Sequence, residues 1–232
     1  MTKAPTELQE LRRRIYRKAK TDKAHRFWGI YVHITKIETL TEAYRLAKRN
    51  GGAPGIDGRT FKDIESKGVE QFLMGVQDEL KTGQYKPKAN RLVDIPKGNG
   101  KSRTLQIPCI RDRVVQGALK LVLEAIFEAD FCPNSYGFRP KRSPARALAE
   151  VRRSILRRMS TVIDVDLSKY FDTIAHDKLL ALIAKRIVDK NILRLIKLWL
   201  KVPVVEEDNG KRKYKGSDKG TPQGGVITPP TQ

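Results

Sequence analysis

The chain has 232 residues and carries 47 Lys and Arg against 26 Asp and Glu, a formal net charge of +21. That length suits one sizeable domain or two small ones with a real core, and the 39% apolar content argues against wholesale disorder. No run approaches the roughly 18 apolar residues of a membrane span, and the polar N-terminus lacks the apolar stretch of a signal peptide. Cys109 and Cys132 lie far apart without C-x-x-C or His-rich spacing. This excludes a disulfide scaffold and argues against a zinc module. The expectation is a soluble intracellular protein with more positive charge than solubility requires, so an anionic polymer is the default partner. Residues 1–160 carry +17 of the +21, and the carboxylates grow relatively dense where the chain turns apolar, around Thr161-Val162-Ile163-Asp164-Val165-Asp166-Leu167.

Taken in chain order, Leu8, Leu11, Ile15 and Tyr16 recur at helical spacing and predict a helix over 6–26, with Arg12, Arg13, Arg14, Arg17, Lys18 and Lys20 on its other faces. A second helix over 38–49 ends at the breaker Asn50-Gly51-Gly52. A loop with four glycines and one proline follows over 51–58. A helix over 69–81 stops at Gly83, and a hairpin is predicted over 91–96 and 103–108 around the turn 97–101. A long amphipathic helix over 112–129 is the best core element of the first half. Ser143-Pro144 reads as N-cap and first residue of a helix to about 158. A strand over 161–167, helices over 176–187 and 189–201, and a hairpin over 202–215 complete the pattern. The fold class is α+β.

Strand period places Asp164 and Asp166 on one face of 161–167, opposite Ile163, Val165 and Leu167. Two like charges side by side repel unless a cation sits with them. Mg²⁺ suits such a pair, because it takes few carboxylates and completes its shell with phosphate oxygens. Acids capping the following turn are the other reading, and the residues alone leave both open. The glycine loop fails as a P-loop, having no Gly-Lys-Ser/Thr. His25, His33 and His176 share no spacing and read as structural or surface groups.

Asp166-Leu167-Ser168-Lys169-Tyr170-Phe171-Asp172 resembles the first catalytic motif of reverse transcriptases, an Asp followed five residues later by an aromatic. Arg103-x-Leu105-x-Ile107-Pro108, Asn134-Ser135-Tyr136-Gly137-Phe138-Arg139-Pro140 and Gly220-Thr221-Pro222-Gln223-Gly224-Gly225-Val226-Ile227 stand around it in order, with the glycine loop before them. Together they are similar to group II intron-encoded reverse transcriptases (intron maturases) over nearly all of the chain. The resemblance implies a right-hand polymerase: an N-terminal extension and fingers over 1–110, a first palm segment over 111–175, a return to fingers over 176–219, and the start of a second palm segment from 220.

Site roles follow from the same resemblance. Asp166 would be a catalytic metal ligand with the Leu167 carbonyl beside it, for Mg²⁺ or Mn²⁺, while Asp164 matches no family ligand. Two-metal phosphoryl transfer activates a primer hydroxyl and neutralises the developing charge. Phe171 would reject a ribose 2′-hydroxyl by clash and so select deoxynucleotides. Lys97 and Arg103 would grip the triphosphate, and Gln223 would pack near nucleotide and template. Arg139 would lie on template phosphate, Tyr136 or Phe138 either stacked on a base or buried. Gly55 belongs to the template-contacting loop, and Arg12 and Arg13 to the RNA-binding extension. Partners would be template or intron RNA, a DNA primer and dNTP, in a bacterial cytoplasm or an organelle.

Members of the family continue past Val226-Ile227 to a Tyr-Ala-Asp-Asp hairpin and a thumb, whereas these residues end in Thr228-Pro229-Pro230-Thr231-Gln232. The expectation is therefore a fingers and incomplete palm that is inert alone and self-associates through uncovered apolar surface, or that is completed by a second chain. The alternatives are a non-catalytic RNA-binding splicing cofactor and the product of a disrupted intron gene. RNA-dependent RNA polymerases share the palm logic, but Phe171 and the motif set argue against them. Retron and other bacterial reverse transcriptases remain rivals.

Overall fold

The computed structural model describes residues 6–96, 102–167, 170–208, 211–216 and 218–221. The first helix, α1 (Thr6–Thr21), buries Leu8, Ile15 and Ala19 along one stripe. It stops five residues short of the predicted 26. The Arg186 guanidinium accounts for this: it donates to the carbonyls of Ala19, Asp22, Lys23 and His25, so the oxygens that would continue the helix are engaged elsewhere. The chain then turns to make a parallel bridge, with the Phe27 N–H on the Arg186 carbonyl at 2.7 Å and the Val188 N–H on the Phe27 carbonyl at 2.9 Å. The same bridge shortens a later helix, predicted over 176–187, to α9 (His176–Ala184).

A single turn, α2 (Tyr31–Ile34), leads into α3 (Ile37–Asn50), which ends where Gly51 takes φ 64°. Next come α4 (Phe61–Lys67) and α5 (Val69–Lys81). The helix α4 was not predicted, yet its signal is present: the Thr60 hydroxyl accepts from the Asp63 N–H while the Asp63 carboxylate accepts from the Thr60 N–H, a capping box. Strands β1 (Asn90–Pro96) and β2 (Ser102–Ile107) form the predicted hairpin, with Ile95 opposite Arg103. After it comes α6 (Ile110–Glu128), then α7 (Pro144–Leu156), whose N-cap Ser143 accepts from the Arg146 N–H as its Ser-Pro start predicts. The single turn α8 (Tyr170–Thr173), α9 and α10 (Lys190–Leu200) precede a second hairpin, β3 (Val204–Asp208) and β4 (Lys211–Lys215).

Both hairpins belong to one sheet of order β2-β1-β3-β4, which sequence patterns did not reveal. The join is short: β1 and β3 run parallel through Asn90 opposite Val204 and Arg91 opposite Val205. The Asn90 N–H reaches the Pro203 carbonyl at 3.0 Å. Segments more than a hundred residues apart thus make one mixed α and β unit.

The core is organised on α6, buried on nearly every side, with α3 and α1 against it. Polar groups enter the core only with partners. Asp112 accepts from the Tyr85 hydroxyl at 2.8 Å and the Lys88 N–H at 3.0 Å. The Tyr85 hydroxyl in turn accepts from the Trp199 indole N–H at 3.1 Å, tying α6 to α10. Burial holds the Asp112 carboxyl above the usual carboxylate range, opposed by those hydrogen bonds and by Arg111. Arg113, beside it, donates to the carbonyls of Pro108, Gly51 and Ala53 and so fastens the glycine loop.

The predicted strand over 161–167 is not formed. No described strand lies beside it, so it has no ladder partner among the described residues. Val162 and Ile163 are 82% and 84% exposed. Helix α7 buries none of its residues either, leaving Leu148, Val151 and Ile155 bare on one face. These stretches leave apolar side chains in solvent.

Two outcomes follow. Asp112→Ala strands the Tyr85 hydroxyl and the Lys88 N–H and should cost about 2–4 kcal/mol in urea unfolding, with Tyr85→Phe costing about 1–2 kcal/mol. Equal stability of both variants to the parent would refute the network's role. Cys109 is fully buried and burial pushes its thiol up to about 11, whereas Cys132 is exposed. A thiol reagent should therefore modify one cysteine in the native protein and two after unfolding; two fast native reactions would contradict this packing.

Candidate active site and nucleic-acid interface

Two of the sequence motifs, some fifty residues apart, are fastened to each other. The Thr221 N–H donates to the Phe171 carbonyl at 2.8 Å, the Gly220 N–H to the Ile174 carbonyl at 2.8 Å, and Ala175 bridges Lys219. His176 closes the junction, its Nε2–H donating to the Gly220 carbonyl at 2.7 Å. Glycine is required at 220 for two reasons. Its φ is +81°, and a methyl there would stand 2.9 Å from the carbonyl oxygens of both Phe171 and Asp172. Phe171 itself is half-buried on α8, edge to face with Tyr170 at 5.5 Å between ring centres. His176, which sequence left as a structural or surface group, is the tie that spacing could not show.

Asp166 and Leu167 lie just ahead of this junction, with Asp164, all exposed on the irregular 161–167 segment. Among the described residues no group of three or more His, Cys, Asp and Glu comes together. The donors present are nevertheless of the right kind. A carboxylate and a carbonyl are hard oxygen ligands, and Mg²⁺ is commonly held by one or two carboxylates, with water and substrate phosphate filling the other positions. Asp166 and the Leu167 carbonyl would hold such an ion, which would supply charge neutralisation for phosphoryl transfer.

The triphosphate candidates are only partly described. Lys97 and Gln223 lie outside the described residues, and so does the Arg103 side chain, although its backbone is fixed on β2 opposite Ile95.

The nucleic-acid candidates divide into engaged and open groups. Arg12 pairs with Glu124 at 2.5 Å, clamping α1 along α6, and Lys23 pairs with Asp130 at 2.9 Å just past the ends of the two helices. That leaves Arg13, Arg14 and Arg17 exposed on its outer faces, while Lys18, also exposed, pairs with Asp22 at 2.9 Å. Arg139 is consumed within the protein. Its fork grips both oxygens of Glu128 at 3.1 and 2.7 Å, and Nη1 donates to the Cys132 and Ser135 carbonyls. The Glu128 hydrogen bond holds its pKa above the ordinary arginine value. Tyr136 is half-buried, with the Arg142 guanidinium 5.3 Å over its ring. Gly55 is buried against Cys109: a methyl at Gly55 would come 2.6 Å from the Cys109 Cα. Its glycine therefore serves packing of the loop onto the start of α6. Sequence reading missed the structural residues Asp112, Arg113 and Arg186, each of which stands beside another charged residue, so that nothing local marks it as buried.

The sequence profile described as reverse transcriptase (RNA-dependent DNA polymerase) matches residues 95–231. Protein YkfC of Escherichia coli K12 is 38% identical over 228 residues, which is 96% of this chain and 58% of that protein. The putative COX1/OXI3 intron 1 protein of Saccharomyces cerevisiae is 33% identical over 83% of this chain and 22% of its own length. The group II intron-encoded protein LtrA of Lactococcus lactis is 31% identical over 88% of this chain and 33% of its own length. The chain thus spans a little over half of YkfC and a third or less of the other two. With more than half of its residues matched, the chain belongs to the reverse transcriptase (RNA-dependent DNA polymerase) family, and proteins named as group II intron-encoded are among its relatives.

Proposed function

We propose that these residues are the fingers and the first part of the palm of a group II intron-type RNA-directed DNA polymerase, holding template or intron RNA and an incoming deoxynucleotide. The observation that carries this reading is the seating of Gly220 and Thr221 on the Phe171 and Ile174 carbonyls, because it joins the motif of the selecting aromatic to that of the nucleotide-packing glutamine. Phe171 closes the sugar 2′ position. Arg103 and Lys97 hold the triphosphate as fork and point charge. Gln223 lies against the nucleotide, and Asp166 with the Leu167 carbonyl holds Mg²⁺, for which Mn²⁺ substitutes. The open arginines of α1, Arg13 among them, lie along RNA phosphate. A two-ion site takes more carboxylates than Asp166 supplies, and on this reading these 232 residues by themselves extend no primer.

A second reading is favoured by one observation, the exposure of Asp164 and Asp166 against a widely basic surface. It is a splicing cofactor that holds intron RNA without polymerising, since phosphate contacts need no metal centre.

Single-stranded RNA affinity, followed by fluorescence anisotropy, should fall with salt with a log–log slope of about −3, as expected for four to five phosphate contacts at about 0.7 each. Arg13→Glu should flatten that slope, while Asp166→Asn leaves it unchanged. A salt-independent affinity would count against both readings. Nucleotide binding separates them. On the polymerase reading, dNTP binds with Mg²⁺, and both Arg103→Ala and Gly220→Ala abolish that binding while RNA affinity persists. Absence of any Mg²⁺-dependent nucleotide binding in the parent chain would favour the splicing cofactor.

A further inference from the structure

Helices α9 and α10 pack against each other and leave a shallow groove of about 530 Å³ along their outer seam. Leu180, Ala181 and Ala184 of α9 and Leu193 of α10 make an aliphatic floor. On the α10 side the rim is Lys190, Arg194 and Lys197, all exposed. Spaced at i, i+4 and i+7, these cations form one stripe about 10 Å long at the helical rise of about 1.5 Å per residue. On the α9 side, Lys178 and Lys185 flank Ala181 at i−3 and i+4 and are also exposed. The acid Asp177 is confined to the first turn of α9.

These cations are unspent. Lys178, Lys185, Lys190 and Lys197 have no ion-pair partner among the described residues, and Arg194 gives only one arm to the Gly83 carbonyl at 3.0 Å. An aliphatic floor between two helices with positive charge on both rims fits a helix that lays an apolar stripe into the groove and presents carboxylates to either side. Acids at the same helical period would meet the α10 stripe in register, and the single methyls of Ala181 and Ala184 let a backbone come close. Single-stranded nucleic acid fits less well, because no aromatic ring lines the groove to stack on a base. A second copy also fits less well, since each copy carries +21 and would bring the same sign to the contact.

We infer that the groove between α9 and α10 is a docking site for an acidic amphipathic helix of a partner protein. The inference does not rest on the RNA-binding reading above; it stands on the floor, the rims and their sign.

The test uses the full chain and a fluorescein-labelled synthetic peptide helix, with leucines along one stripe and glutamates on both sides of it, followed by fluorescence anisotropy. The controls are a scrambled peptide of the same composition and a peptide with lysine for every glutamate. The ordered acidic peptide is expected to saturate the chain, the scrambled one to bind at least about tenfold more weakly, and the lysine peptide not to bind. Joint Lys190→Glu and Lys197→Glu should weaken binding about tenfold or more, and so should Ala181→Glu, which sets a like charge in the floor. Lys62→Glu, on the exposed surface of α4, should leave binding at the parent value. All four positions are exposed, so circular dichroism and the unfolding midpoint should match the parent; should Ala181→Glu fail to fold, the lysine pair still decides. Equal binding of ordered and scrambled peptides, or an equal loss in Lys62→Glu, would overturn the inference by reducing it to diffuse charge attraction. Displacement of the bound peptide by equimolar single-stranded RNA, with RNA affinity lost in the lysine pair, would overturn it in favour of RNA. A dimer in sedimentation that the lysine pair abolishes would overturn it in favour of a second copy.

Discussion

The first turn of α6 is the constraint on which the other layers rest. A helix buried on nearly every side would ordinarily be wholly apolar, yet this one begins with adjacent buried charges, Asp112 and Arg113. Each is tolerable only because its hydrogen-bonding capacity is filled from other elements. Asp112 takes its donors from Tyr85 and Lys88, and through Tyr85 reaches Trp199 on α10. Arg113 takes its acceptors from the glycine loop and the end of β2. One point of the core therefore fixes the glycine loop, the first hairpin and a helix eighty residues later. Gly55 is held against Cys109 by the same arrangement, which is why that loop has no room for a side chain.

The same logic of filled and unfilled charge separates architecture from function over the basic surface. Of the arginines that sequence marks for nucleic acid, Arg12 and Arg139 are paired within the protein, whereas Arg13, Arg14 and Arg17 are exposed. An ion-paired guanidinium would have to give up its partner to meet a phosphate, leaving a carboxylate unpaired. Exposed arginines face no such cost. The net charge of +21 is therefore a poor guide to which residues bind, and the pairing pattern is a better one.

Much of the fold is legible in the sequence where punctuation is local. Ser143-Pro144 starts α7, Gly51 ends α3, and β1 pairs with β2 as the first hairpin, all within a residue or two of expectation. The failures have a common cause, which is long-range contact. Arg186 ends α1 from the far side of the sequence, and β1 meets β3 through two residue pairs that no local pattern encodes. The strand period of 161–167 is real in the sequence, but a period does not supply a neighbour to pair with. At the candidate site the motifs around Phe171 and Gly220 were readable separately. Their junction through His176 and the Thr221 N–H was not, because a lone histidine has no spacing to betray it. For Arg139 the motif suggested a ligand contact, and only the positions of Glu128 and two carbonyls reveal the brace.

The central claim is that nucleic acid lies across the basic half of the molecule, along the outer faces of α1. Hydrogen–deuterium exchange of the chain with and without single-stranded RNA tests it most directly. The account predicts slowed exchange in α1 on adding RNA, with α7 unchanged on its bare apolar face. Protection confined to α7 and residues 161–167, with α1 unaffected, would contradict it.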